Sequence, residues 1–225
     1  MIHTEKLSSY LLLLLLPVSL GAYLYLTNPF RDELVKEVYS LADLNPSQQY
    51  NIELAARALD GKVLKPGELF SFNRTVGPRR DSRGYRPATT YIGAESPATV
   101  GGGICLLSSA LYQAALAVGL KIEARNPHLR TISSVTPGLD ATVWYGGLDL
   151  KFRNCTKHPI EINAECKNHN VYVRLHGEKA ADMPELAQLK AVIAKRNNRE
   201  LMVEVFRDVK GKLNFVSRDN YQLNK

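Results

Sequence analysis

An α+β domain is the fold class this sequence predicts, on three observations. Residues 104–120 carry apolar side chains on a helical period, with glycines at 101–103 before them and Gly119 near their end. From Lys121 onward the pattern changes to the two-residue alternation of strands. The connections between those strands are mostly too short for crossover helices, so the sheet should be mainly antiparallel. With 225 residues, 45% of them apolar, the chain can bury one substantial core and a small appendage.

In chain order, residues 1–30 read as a membrane anchor or a signal peptide. No charge falls between Lys6 and Arg31, and the stretch 10–26 is almost wholly apolar. Six consecutive leucines, 11–16, suit a signal peptide, and Ser19-Leu20-Gly21 offers small residues for cleavage. Pro17, Tyr23 and Tyr25 suit an uncleaved anchor, so both fates stand. Lys6 before the segment weakly places the remainder outside the cytoplasm. Residues 31–48 are expected to be a juxtamembrane segment, helical to about Leu44 and closed by Asn45-Pro46.

Ser47 is then expected to cap a helix with Ile52, Leu54, Ala55, Ala58 and Leu59 on its buried face, ending near Gly61. Leu69, Phe70 and Phe72 read as a short buried strand, 73–87 as a polar loop, and Tyr91-Ile92 as another strand. The helix 104–120 follows, then strands at 122–125, 142–145, 148–152, 160–164 and 171–175. Residues 179–225 are expected to form a C-terminal extension: a helix or linker over 185–195, then a hairpin of 201–206 and 213–216 turning at Gly211.

A net charge of +7 favours an anionic partner. Nucleic acid is excluded as the expected partner, because the N-terminal segment directs the chain away from it. Phospholipid headgroups or an acidic wall polymer remain. Three cysteines leave at least one thiol free. Cys155 and Cys166 flank an extended run that would hold them on the order of 25 Å apart. A bridge needs less than about 7 Å between Cα atoms, so both should be free.

Cys105 is the candidate nucleophile. At a helix start it meets the positive end of the dipole and unpaired N–H groups, which favour the thiolate. The backbone of Gly102, Gly103 and Ile104 could stabilise an oxyanion. Cys105 on a helix, His128 after one strand, and Asp140 and Asp149 around later strands follow the order used by papain-like and transglutaminase-like folds. In such a site His128 exchanges the proton and one aspartate fixes its tautomer. Alone, His128 after Pro127 also suits a turn, Asp140 a cap, and Asp149 a buried structural pair. Arg79, Arg80, Arg83 and Arg86 suit carboxylates in a bidentate way, against the plainer alternative of a solvated loop. No spacing among His and Cys resembles a zinc site, so neither metal nor cofactor is expected.

Several stretches together resemble the VanW family of bacterial envelope proteins. They are residues 65–73, Gly77-Pro78-Arg79, Arg83-Gly84-Tyr85, 101–112, Asn126-Pro127-His128, and 137–150 with Asp140, Tyr145-Gly146 and Asp149. The resemblance covers about 49–178, the expected VanW-like domain, and includes Ser108 and Tyr112 as substrate contacts. It implies a cysteine-dependent L,D-transpeptidase activity on peptidoglycan, with Cys105 as nucleophile. Leu106 stands where the family usually has glutamine, Ala110 replaces a common serine or threonine, and Asn126 replaces a frequent histidine. The expectation is therefore an extracytoplasmic cysteine acyl transferase acting on peptidoglycan stem peptides. The alternative is a non-catalytic wall-binding or glycopeptide-resistance accessory protein that keeps the fold.

Overall fold

The computed structural model describes residues 27–90 and 98–223. The expected N-terminal membrane segment up to residue 26 and the expected strand at Tyr91-Ile92 lie outside the described residues. Among those described, no helix is long and apolar enough to cross a membrane.

Three antiparallel sheets and a two-stranded hairpin surround two long helices, an α+β arrangement. The first sheet has the order β1 (Asp32–Ser40), β9 (Asn170–Gly177), β8 (Ile160–Lys167), β2 (Lys62–Leu64). The second is β3 (Leu69–Ser71), β7 (Lys151–Arg153), β6 (Lys121–Ala124), and the third is β10 (Gln188–Arg196), β11 (Glu200–Val209), β12 (Lys212–Gln222). The hairpin joins β4 (Pro87–Thr89) to β5 (Ala98–Val100). The helices are α1 (Pro46–Leu59), the single turn α2 (Phe72–Val76) and α3 (Cys105–Val118).

Every residue of α3 from Leu106 to Val118 is buried, the few polar ones, Ser108, Ser109 and Gln113, being hydrogen-bonded. One continuous core joins α3 to α1, to the inner faces of the first two sheets, and through Val205 to β11. The α3 helix packs on β1, β9, β6 and β10. Residues that sequence assigns to opposite ends of the chain thus share one helix as their floor.

Several expectations need correction. The segment expected as a juxtamembrane helix is strand β1, paired with β9 from Asp32↔Gly177 to Ser40↔Asn170. Its inward residues Val35, Glu37 and Tyr39 follow the period of two. Asn45, not Ser47, caps α1: its Oδ1 accepts the Gln48 N–H at 2.9 Å, and Gln48 Oε1 accepts the Asn45 N–H at 3.1 Å. Pro46 at the first helical position moves the cap two residues earlier than expected. Phe72 opens α2 rather than extending β3. Residues 185–195 contain no helix, since β10 pairs with β11 across most of that stretch. Thr142 to Tyr145 is no strand but an irregular segment ending in a tight turn, where Gly147 N–H donates to the Trp144 carbonyl at 3.0 Å. The β11–β12 hairpin, turning at Lys210 and Gly211, is as expected.

Candidate active site

Cys105 is the first residue of α3 and is partly exposed. The glycines before it are required by packing. Gly101 and Gly103 have φ of +87° and +98°, which L side chains rarely adopt, and a Cβ on Gly102 would lie 2.3 Å from the Ala88 carbonyl oxygen of β4. Asn51, fully buried on α1, fastens this turn by donating to the carbonyls of Gly102 at 3.1 Å and Arg86 at 2.9 Å. Asn51 lies one position before Ile52, where the apolar stripe of α1 begins, so periodicity alone did not mark it. The Gly102 N–H is spent on the Thr99 carbonyl at 3.2 Å, which removes it from the expected oxyanion donors. Gly103 and Ile104 remain, beside the first turn of α3, whose N–H groups have no acceptor within the helix.

His128 and Asp140 meet in a buried pair. His128 Nδ1 lies 2.5 Å from Asp140 Oδ2, and the His128 backbone N–H donates to the same oxygen at 2.7 Å. Cys105 is close enough to the imidazole to raise its pKa, and its Sγ lies 3.8 Å from the Val143 carbonyl. Burial pulls the His128 pKa down, but hydrogen bonds and charges from Asp140 and Cys105 outweigh it and raise it to about 9. Burial likewise pushes Asp140 up, and its bonds from His128 and Tyr221 with the Arg125 charge hold it below its usual value. The result is a histidine that keeps its proton at neutral pH beside Cys105.

A polar stripe on α3 sets this geometry. Ser108 Oγ donates to the Ala141 carbonyl at 2.7 Å, Ser109 Oγ accepts the Ala141 N–H at 2.9 Å, and Gln113 donates to the Leu139 carbonyl at 2.8 Å. These bonds clamp the loop carrying Asp140 to the helix carrying Cys105. Ser108 and Tyr112, expected as substrate contacts, are 0% and 1% exposed and face the core instead. Tyr112 underlies the Arg125 guanidinium, 5.0 Å from its ring centre. Their spacing on the cysteine helix marked them, but a helix buried all round offers a substrate only its end.

Of the two aspartates, only Asp140 reaches His128. Asp149 accepts from Ser71 Oγ at 2.7 Å and the Asn73 N–H at 2.9 Å, fixing the junction of β3 and α2. Sequence gave no sign of Arg125, Asp219 and Tyr221. Arg125 is 5% exposed and donates to Asp140 Oδ1 at 2.9 Å and Asp219 Oδ2 at 2.5 Å. Tyr221 donates to Asp140 Oδ1 at 2.5 Å.

Cys105 and His128 line a cleft of about 890 Å³ with Arg79, Arg80, Trp144 and Tyr145 among its walls. Trp144 and Tyr145 are about half exposed on the rim. The arginines divide. Arg79 donates to Asn73 Oδ1 at 2.6 Å, sits near the rings of Phe72 and Tyr145, and has its Nη2 buried without a hydrogen-bond partner among the described residues. Among the described residues no carboxylate pairs with it. Arg80 is exposed at the cleft. Arg83 instead lies against Gly77, and Arg86 stacks on Tyr50 at 3.7 Å. Neither lines the cleft. The hydroxyls of Thr99 and Thr142, both on cleft residues, are also buried without partners among the described residues. All three cysteines are free, and among the described residues no cluster of three or more His, Cys, Asp or Glu is arranged for a metal ion.

The family model described as "VanW like protein" matches residues 47–176, more than half of the chain. The chain is 42% identical over 132 residues to "Uncharacterized protein YoaR" of Bacillus subtilis, covering 59% of this chain and 44% of that protein. It is 33% identical over 135 residues to "Vancomycin B-type resistance protein VanW" of Enterococcus faecalis, covering 58% of this chain and 49% of that protein. The match thus spans about half the length of these curated relatives. No solved structure matches the chain.

Proposed function

The chain belongs to the VanW family, and on that premise we propose that it is an extracytoplasmic cysteine acyl transferase acting on peptidoglycan stem peptides. One observation carries the proposal: Cys105 and the hydrogen-bonded pair His128–Asp140 come together where the helix start meets an open cleft. The relative named for vancomycin resistance supports a cell-wall role. The apolar segment before residue 27 supplies the membrane attachment in this reading, and stem peptides or an anionic wall polymer are the partners.

The Cys105 thiolate attacks an amide carbonyl of a donor peptide, and the N–H groups around Gly103 and Ile104 face the developing oxyanion. His128, already protonated, gives its proton to the leaving amine as the carbon–nitrogen bond breaks and a thioester remains. The amine of a second peptide then attacks the thioester and loses its proton to His128. The carbon–sulfur bond breaks, the thiolate returns, and a new amide crosslinks the peptides. Water in place of the amine gives trimming instead. Asp140 holds the imidazole orientation throughout.

Arg79 gives the donor its orientation. A desolvated guanidinium without a carboxylate partner is costly, and a substrate carboxylate supplies the missing charge. Tyr145, half exposed beside the guanidinium, is the side chain that yields to it. Mass spectrometry of muropeptides incubated with the protein tests the reading. New crosslinked or trimmed peptides are expected from wild type and none from Cys105→Ala; identical products from both would refute it.

A further inference from the structure

Hydrogen bonding around Asp140 extends past residue 176, where the family match stops, into the third sheet. We infer that Tyr221, on β12, is a positioning residue for the Cys105–His128 pair, and that the β10–β12 sheet is part of the active site. The inference rests on the acyl-transfer reading, in which that pair reacts.

A carboxylate has about four acceptor positions, and Asp140 fills them from four directions. His128 Nδ1 at 2.5 Å and the His128 N–H at 2.7 Å meet Oδ2. The Tyr221 hydroxyl at 2.5 Å and Arg125 Nη2 at 2.9 Å meet Oδ1. Tyr221 also accepts the Gly138 N–H at 2.6 Å, so its own proton is directed at Asp140. Its ring is 1% exposed, packed with Leu201 and Val203, and so cannot swing away. The hydroxyl therefore prevents rotation of the carboxylate that orients the imidazole.

Asp219 completes the device by charge. Arg125 alone beside Asp140 would cancel much of the field felt by His128. Its Nη1 is engaged by Asp219 at 2.5 Å, so the two aspartates and one arginine leave one net negative charge, matched by the imidazolium. The ionisable groups facing this cluster are Tyr112 and Cys105 from α3, Arg125 after β6, and Asp219 and Tyr221 from β12, with Arg79 facing Cys105. A further strap holds β12 against the same loop: the Gln222 N–H donates to the Leu129 carbonyl at 2.9 Å, directly after His128.

The test is the rate of iodoacetamide alkylation of Cys105 in the full chain across pH, read by peptide mass spectrometry with Cys155 and Cys166 as internal references. For Tyr221→Phe, which keeps the ring, the acidic limb of the profile should move to higher pH and the rate near pH 6 should fall by about tenfold, as when a histidine's carboxylate loses its own support. Asp219→Asn should shift the limb in the same direction and carries the test if Tyr221→Phe does not fold. A merely structural role would lower the melting temperature and leave the profile of the folded protein unchanged. A folded variant with the wild-type profile overturns the inference while leaving the acyl-transfer reading intact. Wild-type Cys105 reacting no faster than Cys155 overturns both.

Discussion

The proton on His128 is a source of stability as well as of reactivity. Burial opposes that charge, and the Asp140 and Cys105 interactions overcome it, so the folded pKa of about 9 exceeds the ordinary 6.5. A raised pKa means the folded state binds the proton more tightly than the unfolded chain. The stabilisation is therefore complete below about pH 6.5 and is lost as pH rises through about 9. Urea denaturation of wild type and His128→Gln across that window should show the wild-type advantage shrinking with rising pH; a constant difference would contradict the linkage. Cys166 provides the contrast. Burial first, then the Glu53 charge, pushes its thiol up to about 11, so it stays protonated at neutral pH. In native protein Cys166 should label far more slowly than Cys105, and unfolding in urea should remove most of the difference.

Among the elements, the turn leading into α3 is the most exacting. Gly102 sits so close to β4 that a methyl group would overlap the Ala88 carbonyl, a backbone atom with nowhere to retreat. Gly102→Ala is expected to cost about 2 kcal/mol or more and to displace the start of the cysteine helix. Gly61 also has positive φ, +72°, but has open space around it. Gly61→Ala should cost only about 1 kcal/mol, from backbone strain. Urea midpoints of the two variants should separate packing from strain. The cap of α1 gives a third value: Asn45→Ala removes the side-chain arm of the capping box and should cost about 1 kcal/mol. The helix at Cys105 was legible because a long, mainly apolar run on a helical period between glycines has few other solutions. Strands β1 and β10 were not, because their charged outer residues read as solvated helix. What makes them strands is pairing with β9 and β11.

For the whole molecule, Val205 of β11 is fully buried in the same core as α1 and α3. Val205→Ala should lower stability by roughly 1 to 3 kcal/mol, with one cooperative transition and an unchanged slope against urea. Two transitions would show that the third sheet unfolds independently. Sequence alone determined the family, the helix carrying Cys105, the terminal hairpin, and the two residue types whose chemistry belongs together. Those are local facts, set by periodicity, glycine placement and a contiguous motif. Tertiary structure decided which aspartate serves His128, because Asp140 and Asp149 have similar apolar neighbours and differ only in what the fold brings to them. It also separated Arg79, facing the cleft without a counter-ion among the described residues, from Arg83 and Arg86, which pack elsewhere. Tyr221 lies 81 residues from Asp140 along the chain. No sequence pattern links two such residues, and only burial of both against one core makes their hydrogen bond obligatory.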